Sequence, residues 1–298
     1  MTAVKPSVTI ALPVYNGAKT LTLAVNSIIN QSYQEWELII LDDASTDCSR
    51  EVMRTFSDPR IHLVEGDENL GLSARLNMAV DMARGSYFAR MDQDDVSYPE
   101  RIQKQLDFLQ TNLDVDMVAS ATTVFRGDGE AMGCLPVQCE HEQICAKPWN
   151  GFHMPHPTWM GKTSWFRKFK YDSFADGAED QHLLLTAYQH SHYACISEPL
   201  LAYREDVRPL KKMLSKRRIF AWVYIHQFAS SSQYGMAFKV FLVAILKAIA
   251  DVLNLVFGIN HMRNSLRPLS DLEKAEWEGL WEHMKSLESD AAVTCDKA

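Results

Sequence analysis

Arg90-Met91-Asp92-Gln93-Asp94-Asp95 follows a short apolar-aromatic run, Tyr87-Phe88-Ala89. The run is expected to be a buried strand, and the acids stand at its end. Three carboxylates within four residues repel one another, and unpaired they would raise each other's pKa or splay the loop. A divalent cation removes that penalty, and Mg²⁺ or Mn²⁺ suits carboxylate oxygen together with substrate phosphate. The stretch is therefore read as a metal–diphosphate site. The alternative is a solvated acidic turn ahead of the helix that starts near Pro99, and the flanking sequence decides between the two.

Upstream, Val8-Thr9-Ile10-Ala11-Leu12 is a strand candidate stopped by Pro13, and Pro13-Val14-Tyr15-Asn16-Gly17 is turn chemistry. Thr20 to Asn30 places Leu21, Ala24, Val25, Ile28 and Ile29 at helical spacing. Trp36 to Leu41 is nearly all apolar, as expected of a strand covered on both faces. Ser49 to Phe56 reads as a helix, Ile61 to Val64 as a third strand, and Ser73 to Arg84 as a helix capped by Gly85. Strand and helix alternating in this way predict an α/β fold with a mainly parallel sheet. Ligands of such sheets sit beyond the carboxyl ends of the strands. Pro13–Asn16, Asp42–Asp47 and Arg90–Asp95 each lie at such an end, so they converge on one rim. No Gly-x-Gly-x-x-Gly and no Gly-rich Lys-Ser loop follows the first strand, which argues against a dinucleotide-binding domain and a P-loop NTPase.

Here a resemblance becomes specific. "ALPVYN", "LIILDDASTD" and the unbroken "ENLGLSARLNMAVDMARGSYFARMDQDDVSYPERIQKQLDFL" resemble the family 2 glycosyltransferases of bacterial cell-surface polysaccharide assembly, from about residue 7 to 112 and more loosely to about 204. The resemblance implies a GT-A fold with a nucleotide half and an acceptor half, an inverting transfer, a nucleotide-sugar donor and a divalent metal. It implies that Pro13, Tyr15, Asn16, Asp43, Arg75, Asp92, Gln93 and Arg204 surround the donor and that Asp92 and Asp94 hold the metal. Chemically, Tyr15 could stack on a base and Asp43 could accept from a uracil N3–H. Asp47 is the better candidate for capping the next helix. Arg75 has the alternative of a solvated helix residue, and Asp95 that of a hydrogen-bonded turn residue. Pro99-Glu100-Arg101 opens a helix, as proline at a first turn allows.

Val115 to Phe125 is a further strand candidate. His153-Met154-Pro155-His156-Pro157-Thr158-Trp159-Met160 resembles the family's strand beside the acceptor. His153 and His156 are there to contact substrate or simply to pack. Glu179-Asp180, ahead of His182-Leu183-Leu184-Leu185, resembles the family's catalytic pair. This implies that Asp180 is the general base, with Glu179 and His156 on the acceptor side. One base suffices where a metal handles the leaving group, and the alternative for Asp180 is an acid favoured by a helix N-terminus. "SEPLLAYRED" resembles the family's last strand. Many relatives have Tyr-Arg-x-His there, whereas this chain has Arg204-Glu205-Asp206, which puts more of the diphosphate's closure on Arg204.

At 298 residues, with 47% hydrophobic and 23% charged residues, the chain can bury a sizeable core. Its net charge is −8, yet Val207 to Ala250 has no acid and eight Lys and Arg residues, which leaves −16 for the rest. The division expected is a GT-A domain over residues 1–205 and a helical, basic and apolar membrane-associating region over residues 206–298. Gly235 to Gly258 is long and apolar, but Lys239, Lys247 and Asp251 interrupt it, each costing about 2.5–3.5 kcal/mol at a bilayer centre. With Asn254 these form one polar arc, the pattern of a helix lying on a bilayer. A core helix is the alternative, and the basic run upstream favours anionic lipid. Leu272 to Leu287 is another amphipathic helix, striped by Trp277, Leu280, Trp281 and Met284. No Cys-x-x-Cys occurs among the six cysteines, so reduced thiols are expected; Cys134, Cys139 and Cys145 with His141 and His153 fit no common zinc spacing. Residues 1–6 have no apolar signal region. The expected setting is cytoplasmic, on the inner face of the cell membrane, with a nucleotide-sugar, a lipid-linked glycan and an anionic lipid surface as partners and no nucleic acid. The alternatives are a polyprenyl-phosphate glycosyltransferase and a non-catalytic nucleotide-sugar-binding protein at the membrane.

Overall fold

The computed structural model describes residues 6–205, 210–257 and 266–290. β1 (Val8–Val14), β2 (Trp36–Asp42), β3 (Ile61–Glu65) and β4 (Tyr87–Arg90) lie parallel in the order β3-β2-β1-β4. Helices Leu21–Ile29, Ser49–Met53 and Leu72–Met82 connect them. β5 (Val96–Ser97), β6 (Met117–Phe125), β7 (Ala131–Leu135), β8 (Met160–Lys162) and β9 (Tyr193–Arg204) complete one mixed sheet. Beyond β4 the order is β8-β6-β9-β5; β8 is antiparallel to β4 and β6, and β9 is parallel to β6. The alternation of helix and strand thus folds as expected, into an α/β sheet covered on both faces.

Every residue of β1 and β2 is buried. Ile10 and Leu12 enter one apolar cluster with Leu21, Val25 and Ile102, while Ala11 enters the other with Phe88, Trp159 and Leu184. This is the two-residue alternation of a strand with a layer on each side.

Two local expectations give way. Pro13 does not stop β1. Ala11 accepts from the Met91 amide and Val14 from the Asp43 amide, so alternation turns Pro13 toward β4, whose pairing with β1 has ended at Ala11. The proton that proline lacks has no ladder partner to miss there. Gly85 is not a helix cap: the helix closes at Ala83, and a Cβ on Gly85 would lie 2.6 Å from the Thr9 amide nitrogen. Close passage of the chain beside β1 is what that position requires.

In the C-terminal region, helices Leu210–Ser230 and Tyr234–Phe257 form a hairpin. Val223, Tyr224, Phe228, Ala237 and Val240 join the same apolar cluster as β1 and β4. Helix Asp271–Asp290 buries Trp277, Leu280 and Met284 against Leu23, Tyr98 and Phe125, following the stripe read from its spacing. No helix among the described residues is long and apolar enough to cross a membrane. Cys134, Cys139, Cys145 and Cys195 are free thiols.

Candidate active site

The parallel register places the ends of β1, β2 and β4 on one edge, and hydrogen bonds stitch the loops that follow them. Asn16 takes a left-handed backbone (φ 51°), and its Oδ1 accepts from the Thr46 amide at 2.8 Å and the Asp47 amide at 3.3 Å. Gln93 pairs with Tyr15 through both amide atoms: Tyr15 N donates to Oε1 at 2.8 Å and Nε2 donates to Tyr15 O at 3.1 Å. The Tyr15 side chain itself is 48% exposed, open to a flat ligand. Asp47 takes the Ser49 amide at 3.0 Å at the start of helix Ser49–Met53.

Asp43 is buried at the end of β2. Its Oδ1 accepts from the Leu70 amide at 2.8 Å and from Arg75 Nε at 2.7 Å, and its Oδ2 from the Gly71 amide at 2.9 Å. Arg75 is also buried, and its Nη2 donates to the Glu68 carbonyl at 2.6 Å. Asp43 and Arg75 therefore shape the 68–71 loop jointly. Each carboxylate oxygen has two lone pairs, so Oδ2 retains one for a ligand N–H.

In the acid loop, ligand atoms of Asp92, Asp94 and Asp95 all lie within 4.8 Å of one another. Burial, then the charge of Asp92, pushes the Asp94 carboxyl up to about 6. Burial and the same neighbours push Asp95 well above the carboxylate range. Asp95 is fully buried; Oδ1 accepts from the Arg204 amide at 3.0 Å, while Oδ2 has no hydrogen-bond partner. An orphaned buried oxygen within an all-carboxylate set fits a hard divalent cation. Arg90 partly neutralises the loop, giving both terminal nitrogens to Asp92 at 2.5–2.6 Å. Arg204 closes the loop from β9: its Nε donates to the Asp94 carbonyl at 3.0 Å, and its guanidinium lies 4.8 Å from the centre of the Phe125 ring.

Asp180 lines a cavity of about 260 Å³ together with Phe152, His153, His156 and Gln181. It stands in the first turn of helix Glu179–Ala187, and its Oδ2 accepts from Gln181 Nε2 at 3.1 Å. Glu179 holds the preceding turn through the Gly177 amide at 2.7 Å; burial, then the charge of Asp180, raises its carboxyl. His156 is buried, with Nε2 2.8 Å from the Tyr171 hydroxyl. Through His156 the Tyr171 hydroxyl thus reaches the wall of the Asp180 cavity.

Several of these residues escape sequence reading. Arg90 stands beside the acids it pairs with, and an arginine at such a position is a signal available to charge matching. Tyr171 and Gln181 carry none: their partners lie 15 and 29 residues away, and Gln181 hydrogen-bonds Phe152 at both backbone atoms.

A pH dependence follows from His156. Burial, then the charge of Arg90, pulls its pKa well below the usual histidine range. The unfolded chain titrates near 6.5 and so takes up a proton that the folded chain refuses. The stability involved is complete above about pH 6.5 and is lost as the pH falls below it. Thermal unfolding measured from pH 8 to pH 5 should show that loss, and His156→Gln should reduce its slope. An unchanged slope would assign the effect to His141, His153 and His182, whose pKa values are also lowered.

Comparison with known proteins gives concordant results. The family description "Glycosyl transferase family 2" matches residues 9–169. The putative glycosyltransferase EpsE of Bacillus subtilis (strain 168) is 33% identical over 214 residues, covering 70% of this chain and 76% of EpsE. The Escherichia coli UDP-Glc:alpha-D-GlcNAc-diphosphoundecaprenol beta-1,3-glucosyltransferase WfgD is 32% identical over 105 residues, covering 35% and 42% of the two chains. The crystal structure of S. aureus TarS 1–349 in complex with UDP-GlcNAc superposes with a TM-score of 0.58 at 16% identity, over 97% of this chain and 93% of that one.

Proposed function

The chain belongs to glycosyl transferase family 2, and we propose that it moves a sugar, with inversion, from a UDP-sugar to a hydroxyl of a lipid-linked glycan in cell-surface polysaccharide or lipopolysaccharide assembly, with Mn²⁺ or Mg²⁺. The observation that carries this reading is the three-acid loop with its orphaned Asp95 oxygen. The UDP-GlcNAc bound by TarS supports the choice of nucleotide, and the diphosphoundecaprenol acceptor of WfgD supports the choice of acceptor.

In this reading Tyr15 stacks on the base, and Asp43 accepts its N–H with the lone pair left on Oδ2. Pro13 and Asn16 form the floor of that subsite. Gln93 acts through Tyr15, fixing the nucleotide loop to the acid loop. Asp92 and Asp94 hold the metal, which when bound supplies neutralisation of the charge on the departing diphosphate. Arg204 approaches that charge from β9. On the opposite side Asp180 takes the acceptor hydroxyl proton as the oxygen attacks the anomeric carbon, while Glu179 and His156 shape the acceptor cavity. The test is release of UDP and transfer of sugar, measured across a panel of nucleotide sugars with Mn²⁺ and both a glycosyl-diphosphate lipid and a polyprenyl phosphate as acceptors. Failure of every donor would remove this reading; transfer to the polyprenyl phosphate alone would change the acceptor.

The reading includes attachment to an anionic membrane surface. On helix Tyr234–Phe257, Lys247 donates to Asn150 Oδ1 at 2.7 Å, Asp251 is buried and pairs with Arg217, and Lys239 lies over Trp149. The helix's apolar face, with Phe238, Phe241, Leu246 and Ile249 each about half exposed or more, points outward. An apolar face of this extent is the mark of an interaction surface. Flotation with anionic liposomes is expected at low salt and should weaken at high salt, where screening shortens electrostatic reach. Protein left in the aqueous fraction at low salt would refute the attachment.

A further inference from the structure

A second cavity, of about 240 Å³, lies between the hairpin helices and the Trp149–Asn150 turn. Phe220, Val240, Val243 and Ala244 give it apolar walls, and Lys216, Arg217 and Lys247 also line it. Asp251 takes Nε and Nη2 of Arg217, while Lys247 Nζ donates to Asn150 Oδ1 at 2.7 Å. Burial, then the charge of Arg217, lowers the Lys247 pKa, as expected where two cations lie near one another. An anion entering here would meet charge-assisted donors in a half-enclosed, low-dielectric place.

Position gives that anion an identity. Lys247 acts electrostatically on His153, which lines the Asp180 cavity. Tyr224 of the first hairpin helix donates to Gln181, in that same cavity wall, at 3.3 Å. The turn from Trp149 to His153 is thus the partition between the two cavities. On the other side the cavity adjoins the outward apolar face of helix Tyr234–Phe257, on which Phe241, Leu242 and Ile245 are exposed. Acceptor base, cation cluster and apolar surface therefore succeed one another along the molecule. A glycosyl-diphosphate lipid has its parts in the same order: sugar hydroxyl, diphosphate, hydrocarbon.

We propose that the hairpin cavity binds the diphosphate of the lipid-linked acceptor through Lys216, Arg217 and Lys247, with the first part of the lipid chain on Val240, Val243 and Ala244. The inference rests on the acceptor class given under Proposed function, and it commits to the acceptor's diphosphate rather than to bulk phospholipid. The cavity lies between the hairpin helices and abuts, through the Trp149–His153 turn, the cavity that Asp180 lines.

The test is calorimetric titration of the full chain with farnesyl diphosphate in EDTA, where the metal-free acid loop repels the probe. Binding is expected, and Lys216→Gln and Lys247→Gln should each weaken it about 10-fold, the usual effect of losing a charged hydrogen bond. Lys247→Arg should restore most of it. Farnesol and inorganic diphosphate, each lacking one half of the probe, should bind at least about 10-fold more weakly. Lys216 is exposed, so its replacement keeps the fold testable should the Lys247 variant fail to fold. Absence of binding, wild-type affinity in both glutamine variants, or displacement of the probe by phosphatidylglycerol vesicles would overturn the assignment. Charge-dependent farnesyl diphosphate binding in a protein that transfers no sugar would uphold the site and count against the enzymatic reading instead.

Discussion

Asp180→Asn will lower turnover by about 10²–10⁴, the usual effect of removing a positioned base, and will leave UDP-sugar and metal affinity in place. Asparagine keeps the shape of the side chain and its bond to Gln181 while removing the proton acceptor. Donor affinity is expected to survive because the hydrogen bond of Asp180 goes to Gln181 and Asp180 is not one of the three grouped acids. Glu179 is the competing candidate, but it already holds the Gly177 amide and so serves the turn. The decisive measurement is kcat beside donor affinity in this variant. Unchanged turnover would return Asp180 to the role of a helix-terminal acid and shift attention to Glu179. Joint loss of turnover and donor binding would mean that Asp180 holds the site together.

Asp94→Ala will abolish the metal-dependent part of UDP binding. Asp94 and Asp95 are held near one another at the cost of raised pKa values, which burial imposes and Asp92 increases. Removing Asp94 leaves Asp92, already turned to Arg90, and Asp95, deeply buried. Calorimetry with UDP, with and without Mn²⁺, should show a metal-dependent gain in the wild type and none in the variant. Retention of that gain would move the metal off Asp94. A second readout follows in metal-free buffer. A carboxyl whose pKa is raised on folding favours the fold below its unfolded pKa and loses that contribution as pH rises through the folded value, about 6 for Asp94. At pH 8 the metal-free alanine variant should therefore melt at or above the wild-type temperature, the opposite of what a purely structural acid would give.

Much of the parallel half was legible in sequence because its signals are local. A strand buried on both faces is a continuous apolar run, and rim loops announce themselves as polar clusters after such runs. Ser-Glu-Pro-Leu-Leu-Ala-Tyr-Arg was legible as a strand only through its resemblance to the family's last strand, and it forms most of β9. What remained hidden is non-local. Nothing near Asp43 announces that the amides of Leu70 and Gly71 will occupy both its oxygens, or that Gln93 will spend its amide on Tyr15. The polar arc of helix Tyr234–Phe257 was visible as a periodicity, but periodicity fixes only the angle between two faces. Which one turns inward depends on Asn150, Trp149 and Arg217, residues at distances no helical repeat encodes.

The packing of Tyr224, Phe228 and Val240 into the central apolar cluster bears on how the protein can be handled. A fragment ending at Glu205 would look like a self-sufficient catalytic unit, but it would forfeit about 1.5–3 kcal/mol for each such side chain stripped away. It would also lose the Tyr224 hydroxyl that steadies Gln181 beside Asp180. Trimming the greasy hairpin to gain solubility would therefore trade one difficulty for another, yielding a shorter polypeptide with a loosened acceptor wall. Recombinant preparation calls for the intact hairpin, with a detergent or nanodisc offered to its outer face.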